Sequence, residues 1–349
     1  MKLRPEYEHL RVEEVGEDRL TGGPPIVLCC DDNYAFPTRV TIASLLLNAP
    51  YRDFEIVVLA NELDTPNVTA FDVLARRLGS AITIVHVTDA IMPDVFTNPY
   101  IARSTFLRLL LPDIFETDRL LYLDTDLVVQ IDISSIWREY RPDMIVGGVS
   151  DPAARDWKRR LGSTEPDTYI NNGVLMINCD AWRGADTTAR CRDWLAEHGN
   201  NRQTILADQD TLNTVLAGSI YTIADHWNVN RNILRRERIS DVGERYDQET
   251  FLGIFHFNGP QPKPWCRWAD PWSQEFYLRY ARIVGLPPNY WVEARSPEEA
   301  LTEARWAEQR GDILKANAIY RRTAEALIEI MQNQNAAAAE QQAAPAVAD

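Results

Sequence analysis

Basic residues are in short supply. The chain has 349 residues, with 36 Lys and Arg against 51 Asp and Glu, a formal charge of −15. A surface this acidic repels a phosphate backbone at long range, which argues against nucleic acid as a partner. A small phosphorylated ligand stays allowed, because a bound metal ion can supply local positive charge. Cysteine is scarce as well: five, an odd number, with no Cys-x-x-Cys. That excludes a disulfide scaffold and fits a reduced, cytoplasmic protein. No run approaches the ~18 uninterrupted apolar residues of a membrane span. The first 20 residues, MKLRPEYEHLRVEEVGEDRL, are charged throughout and hold no apolar h-region, so they do not read as a signal peptide. Otherwise the composition, 45% apolar and 25% charged, is ordinary for a globular protein. The length fits roughly two domains, or one large α/β domain.

Residues 1–23 are polar and run into Thr-Gly-Gly-Pro-Pro, which reads as an extension ahead of the fold. Residues 26–30 are an apolar run of buried-strand type, stopped by Asp31-Asp32-Asn33. Cys29 and Cys30 fall in that strand and should point to opposite faces. Pro37 opens a helical pattern, residues 54–59 a second strand, Pro66 a second helix, and residues 81–87 a third strand. This β-α-β-α-β order predicts parallel strands with right-handed crossovers, and ligand binding beyond their carboxyl ends. The exit of the first strand carries no Gly-x-Gly-x-x-Gly, so a dinucleotide fingerprint is absent. Further strands are predicted at 119–123, 127–131, 144–149, 173–177 and 253–257, with helices at 103–111 and 207–216. Residues 296–332 suggest two helices with a turn at Gly311-Asp312. One such pair cannot bury its own face, so a seam along Ala304, Ala307, Ala316 and Tyr320 is expected to serve docking or self-association. Residues 333–349 form an Ala/Gln tail that reads as disordered.

Asp124-Thr125-Asp126 is the sharpest chemical feature. It follows a buried strand, and its two carboxylates lie on one side. They repel each other unless a divalent cation joins them, and hard oxygen ligands suit Mg²⁺ or Mn²⁺. A polar turn is the plainer alternative. His256 ends an apolar run and is either a satisfied core histidine or a third ligand, which would favour Mn²⁺. Beyond it lie Gly259, which allows close backbone approach, and Lys263, a cation for a diphosphate; a purely structural loop is the alternative. Asp208-Gln209-Asp210 suits a helix N-cap or hydrogen bonding to sugar hydroxyls. Asn171-Asn172 offers the same chemistry or a turn. Arg108, among leucines, is either functional or a snorkelling surface side chain.

Five segments fall together in order and spacing: IVLCCDDNY at 26–34, RLLYLDTD at 119–126, YINNGVLMIN at 169–178, DQDTLN at 208–213 and HFNGPQPKPW at 256–265. In this the chain is similar to glycosyltransferase family 8, the family of bacterial lipopolysaccharide galactosyl- and glucosyltransferases and of glycogenin. The resemblance implies a GT-A-type α/β fold (Rossmann-like, with a mostly parallel mixed sheet) over residues 24–290. It further implies a UDP-glucose or UDP-galactose donor, Mn²⁺ (Mg²⁺ as an alternative), a glycan or glycolipid acceptor, and retention at the anomeric carbon. By the same resemblance Asp124, Asp126 and His256 would hold the metal. Cys29, Asp31 and Asn33 would line the uridine and ribose pocket, and Gly259 and Lys263 would contact the diphosphate. Arg108, Asn171, Asp208 and Gln209 would surround the donor sugar, with Gln209, Asp208 and Lys263 as the catalytic set. Asn172 stands where the family commonly has a small residue. A sugar nucleotidyltransferase would need a Gly- and Lys/Arg-rich loop after the first strand, where this chain has Asp31-Asp32-Asn33-Tyr34. An inactive sugar-binding or scaffold protein would not need the metal cluster. Residues 297–331 carry seven acids against five bases, so at most weak peripheral membrane contact is expected.

Overall fold

The computed structural model of the chain describes residues 1–17, 22–61, 63–88, 103–152, 168–198, 207–230, 247–259 and 262–343. The chain divides into two units, Met1–Pro260 with Tyr280–Val284, and Gln261–Arg279 with Gly285–Asp349.

The first unit is built on strands β1 (Arg11–Gly16), β2 (Pro25–Cys30), β3 (Glu55–Asn61), β4 (Ala81–Val87), β5 (Arg119–Leu123), β6 (Leu127–Gln130), β7 (Val146–Ser150), β8 (Ile170–Asn178), β9 (Ile220–Ile223), β10 (Val229–Asn230) and β11 (Gly253–His256). Among the described residues, eight of them form one sheet in the order β1-β4-β3-β2-β5-β8-β7-β9. Its centre, β5-β2-β3-β4, is parallel, while β8 runs antiparallel to both β5 and β7. The parallel strands are buried on both faces, which explains their continuous apolar runs. Cys30 belongs to the core on one face of this sheet and Cys29 to the core on the other.

The N-terminal segment is a correction to the sequence reading. Far from standing ahead of the fold, it supplies β1, antiparallel to β4 from Arg11 opposite His86 to Gly16 opposite Ala81. Leu3 is buried and bridges Phe115. Arg11, Glu13 and Glu14 make β1 a charged strand, as suits a sheet edge facing water. The same charges erase the apolar alternation that would have announced it.

Helix α1 (Ala35–Asn48) is buried on nearly every side. Its polar side chains serve the free edge of β6. Thr41 Oγ1 lies 2.9 Å from the carbonyl oxygens of both Thr125 and Leu127. Ser44 Oγ accepts from Val129 N at 2.9 Å, and Asn48 Nδ2 donates to Val129 O at 3.0 Å. β6 pairs on its other side with β11, which pairs with β10, giving a second, three-stranded sheet. Helix α2 (Thr65–Arg77) follows β3, and the short α3 (Leu111–Ile114) precedes β5. The helix expected at 103–111 is a 3₁₀ helix over Arg103–Leu110 that runs into α3. After β8 come α4 (Cys179–Gly184), α5 (Thr187–His198) and α6 (Ala207–Val215).

The second unit holds the first turns of α7 (Pro271–Val284) and a hairpin of α8 (Pro297–Gln309) and α9 (Ile313–Ala343). Ser296 caps α8 with a capping box: its Oγ accepts from Glu299 N at 3.2 Å, and Glu299 Oε2 accepts from Ser296 N at 3.1 Å. Gly311, at φ +79°, makes the turn. Ala304, Ala307, Ala316 and Ile319 are buried, and Lys315 Nζ sits 2.9 Å from the buried Glu303 carboxylate. α9 runs on to Ala343, so the Ala/Gln stretch read as disordered from 333 is helical up to there. Ala, Gln and Glu are strong helix formers, and here propensity prevails over low complexity. Residues 344–349 lie outside the described residues.

Candidate active site

The chain leaves the large sheet for the small one at Asp124-Thr125-Asp126. Asp124 N donates to Gly173 O at 2.8 Å, one step past the end of β5. Thr125 carries the chain across, and Asp126 O accepts from Phe257 N at 3.1 Å as β6 begins beside β11. In that register His256 stands opposite Leu127. The junction therefore delivers the His256 ring between the two carboxylates. Its Nε2 lies 3.4 Å from Asp124 Oδ2 and 3.2 Å from Asp126 Oδ1. The three ligand atoms lie within 4.8 Å of one another. His256 and Asp126 are buried, and Asp124 is half-buried.

The other oxygen of Asp124 is already engaged. Oδ1 accepts from Tyr122 Oη at 2.6 Å and from Arg108 Nη2 at 2.9 Å. This leaves Oδ2 as the oxygen facing His256. Two carboxylate oxygens and one imidazole nitrogen form a hard, mixed O/N donor set. Such a set fits a divalent ion, and the nitrogen favours Mn²⁺ over Mg²⁺.

Arg108 is no snorkelling surface residue. It is buried, and the 3₁₀ helix of Arg103–Leu110 aims it into the site. Its Nε donates to Thr105 O at 2.8 Å and lies 3.5 Å from Asp208 Oδ2, while Nη1 donates to Asn172 O at 3.0 Å. The guanidinium stacks 4.6 Å from the centroid of the Tyr122 ring. Burial disfavours its charge, but Asp124, Tyr122 and Asp208 outweigh that and raise its pKa further, so it stays a cation. Burial raises the pKa of Asp208, and Arg108 opposes the rise.

Asn213 pins helix α6 to the backbone of β8. Asn213 Oδ1 accepts from Ile170 N at 2.8 Å, and its Nδ2 lies 2.9 Å from both Ile170 O and Gln209 O. This pairing places Asp208 and Gln209 beside Asn171 and Asn172. Gln209 Oε1 accepts from Asn171 Nδ2 at 3.1 Å and from Asn172 N at 3.3 Å. Asn172 Nδ2 is 3.4 Å from Asp208 Oδ2. Asp151, absent from the sequence reading, holds this group from behind. Its Oδ2 accepts from Asn171 Nδ2 at 3.1 Å and from Gln209 Nε2 at 3.3 Å, and it is buried. An isolated Asp before Pro152 at a strand exit carries no signal that separates it from a turn residue.

The remaining expected residues divide. Cys29 is buried, its thiol pKa pushed up by burial and drawn down by Arg108, which places it beside this cluster. Asp31 caps a 3₁₀ turn just past β2, accepting from Tyr34 N at 3.1 Å, and Asn33 is exposed in that turn. Gly259 has φ +77° with open space where a side chain would stand. Its glycine thus answers a left-handed backbone as well as any close approach. Lys263 belongs to the second unit, where its carbonyl accepts from Cys266 N at 2.8 Å.

The family model for glycosyl transferase family 8 matches residues 25–269. The chain belongs to glycosyltransferase family 8. Similar proteins include a general stress protein A of Bacillus subtilis, 26% identical over 75% of this chain and 96% of that protein. A lipopolysaccharide 1,3-galactosyltransferase of Salmonella typhimurium is 27% identical over 70% of this chain and 74% of its own length. Among solved structures, the galactosyltransferase LgtC, in complex with donor and acceptor sugar analogs, aligns with TM-score 0.64 and 26% identity. That alignment covers 76% of this chain and 98% of LgtC. The fold is of the GT-A type, and the family 8 chain is a glycosyltransferase. No helix among its described residues is long and apolar enough to cross a membrane.

Proposed function

We propose that this family 8 enzyme transfers glucose or galactose from a UDP-hexose to an acceptor hydroxyl, with a divalent ion, Mn²⁺ by preference, and with retention at the anomeric carbon. The observation that carries this reading is the convergence of Asp124, Asp126 and His256 at 3.2–3.4 Å beside a buried arginine and a cluster of acids and amides. Asp124 Oδ2, Asp126 Oδ1 and His256 Nε2 would hold the ion. When bound, the ion supplies Lewis-acid stabilisation of the charge on a departing diphosphate.

The chain's own groups do the rest. Asp31 and Asn33, past the carboxyl end of β2, and Cys29 within it are assigned to the nucleoside. Arg108, fixed by four polar partners, cannot swing away and presents a constant positive field. Asp208 and Asn171 orient the sugar hydroxyls. Gln209 offers a neutral amide to the anomeric centre. An amide is a poor nucleophile, so its role is polar stabilisation of an oxocarbenium-like transition state, not a covalent bond. The C1–O bond to UDP breaks, the acceptor oxygen bonds C1 from the same face, and its proton passes to the departing phosphate oxygen. By motif alone, Gly259 and Lys263 are given to the diphosphate.

The test is hydrolysis of UDP-glucose and UDP-galactose, with water as acceptor, in Mn²⁺ and in EDTA. UDP release that requires Mn²⁺ and is lost in Asp126→Ala and His256→Ala is the expected result. Full activity in EDTA would refute the metal assignment.

A further inference from the structure

We propose that Asn228 is a positioning residue that fixes the tautomer of His256 and ties that ring, through Asn171, to the Gln209 carboxamide. Asn228 is fully buried and ends the 3₁₀ turn Asp225–Asn228. β10 follows it and pairs in parallel with β11, so that Asn230 is level with His256. The Asn228 side chain thereby reaches the back of the imidazole: Oδ1 lies 2.9 Å from His256 Nδ1. Its Nδ2 donates to Asn171 Oδ1 at 2.9 Å.

The direction of the bonds in this chain is forced, because backbone N–H groups anchor Asn171 and Gln209. Asn171 Oδ1 also accepts from Gly173 N at 2.9 Å. A backbone N–H only donates, so that end of Asn171 is oxygen. Its other end then donates to Gln209 Oε1 and to the Asp151 carboxylate. Gln209 Oε1 is fixed in the same way by Asn172 N. The end of Asn228 that meets Asn171 Oδ1 is therefore nitrogen, and the end that meets His256 is oxygen. An amide oxygen accepts only. His256 Nδ1 must therefore carry a proton, and Nε2 is left as the nitrogen that can offer a lone pair to an ion between Asp124 and Asp126. A ligating histidine needs such an outer partner for its second nitrogen. Gly173 gives the ring its seat, since a Cβ there would lie 2.3 Å from His256 Cε1 and 2.4 Å from Nδ1. One run of amides thus sets the metal-facing nitrogen and the sugar-facing amide together. The sugar-facing half of this claim rests on the proposed function.

The experiment uses the full chain with imidazole ¹⁵N-labelled histidine. There are five His, and the His256 signals are identified by their loss in His256→Gln. In the metal-free wild type, titrated to the pH at which the ring is neutral, His256 is expected as the Nδ1–H tautomer; a neutral ring protonated at Nε2 overturns the proposal with no variant needed. Binding of Mn²⁺ alone, followed by electron paramagnetic resonance, should weaken about 10- to 100-fold in Asn228→Ala. Unchanged tautomer and affinity in that variant overturn the proposal. Asn228→Asp separates the two roles. Its carboxylate still accepts from Nδ1–H, so tautomer and Mn²⁺ binding should be kept. It cannot donate to Asn171, so UDP-hexose turnover should fall by about 10-fold or more at saturating Mn²⁺. If Asn228→Asp turns over like wild type, the tie to Gln209 is wrong. Wild type that fails to bind Mn²⁺ while holding the Nδ1–H tautomer counts against the metal reading, and leaves the positioning of His256 supported.

Discussion

Replacing Gly173 by alanine puts a methyl where the His256 ring now stands. The added Cβ would lie 2.3 Å from Cε1, against the 3.4 Å at which ordinary contact begins, a shortfall of about 1.1 Å. Neither partner can easily give way. The ring is buried, and its Nδ1 is held by Asn228 at 2.9 Å. The backbone of Gly173 is held too, since its carbonyl accepts from Asp124 N at 2.8 Å and its amide donates to Asn171 Oδ1 at 2.9 Å. Retreat of β8 would drag Asp124 with it. Overpacking of this kind costs roughly 1–3 kcal/mol of stability. The larger effect is on the site, because a shift of about 1 Å in a positioned group can cost ~100-fold in rate. Mn²⁺ titration of the folded variant should show affinity at least ~10-fold weaker than wild type, with donor hydrolysis reduced in step. Unaltered Mn²⁺ affinity and turnover in Gly173→Ala would show that the ring does not occupy this seat in the working enzyme.

Three other outcomes follow from the same geometry. Gln209→Ala should slow transfer by ~10- to 1000-fold, the scale of one preorganised polar contact, without abolishing it; a hexosyl adduct on Gln209 or Asp208 in protein quenched during turnover and weighed by mass spectrometry would refute the same-face mechanism. Asn213→Ala removes the partner of Ile170 N and of the Gln209 carbonyl, so the urea unfolding midpoint should drop by an amount equivalent to roughly 1–3 kcal/mol; an unchanged midpoint would mean that α6 is held on β8 by other contacts. His86 is buried on β4 beside Arg11, and burial first, then Arg11, lower its pKa from the ordinary 6.5 while Glu13 opposes. Below pH 6.5 the unfolded chain therefore takes up a proton that the native chain declines, and stability falls as the pH drops toward the native value. His86→Gln should lose less stability than wild type between pH 7 and pH 5, and an equal loss would assign the acid sensitivity elsewhere.

The central strands were legible because burial on both faces writes an unbroken apolar run, as in residues 26–30 and 120–123. The proposed metal ligands were legible in part. Asp124 and Asp126 stand two residues apart at a strand exit, but joining His256 to them took a family pattern, since 130 residues of sequence separate it from Asp126. Arg108 looked like a lone charge among leucines because its partners Asp124, Asp208 and Asn172 come from three other elements. Asp151 and Asn228 gave no signal for the same reason: each works through side chains brought beside it by strand pairing. Gly173 read only as the start of a strand, whereas the packing shows that it makes room for a ring. β1 was missed because an edge strand is free to be charged. The Ala/Gln tail was misread because low complexity says nothing against a helix when its residues favour one.

Retaining transfer from a UDP-hexose, at a site built on Asp124, Asp126 and His256, is the reaction proposed for this enzyme. Real-time NMR of the sugar released from UDP-α-hexose, taken before mutarotation, tests it most directly. With Mn²⁺ present the α-anomer should appear first, and its appearance should stop when EDTA is added. First appearance of the β-anomer, or release that continues unchanged in EDTA, would contradict it.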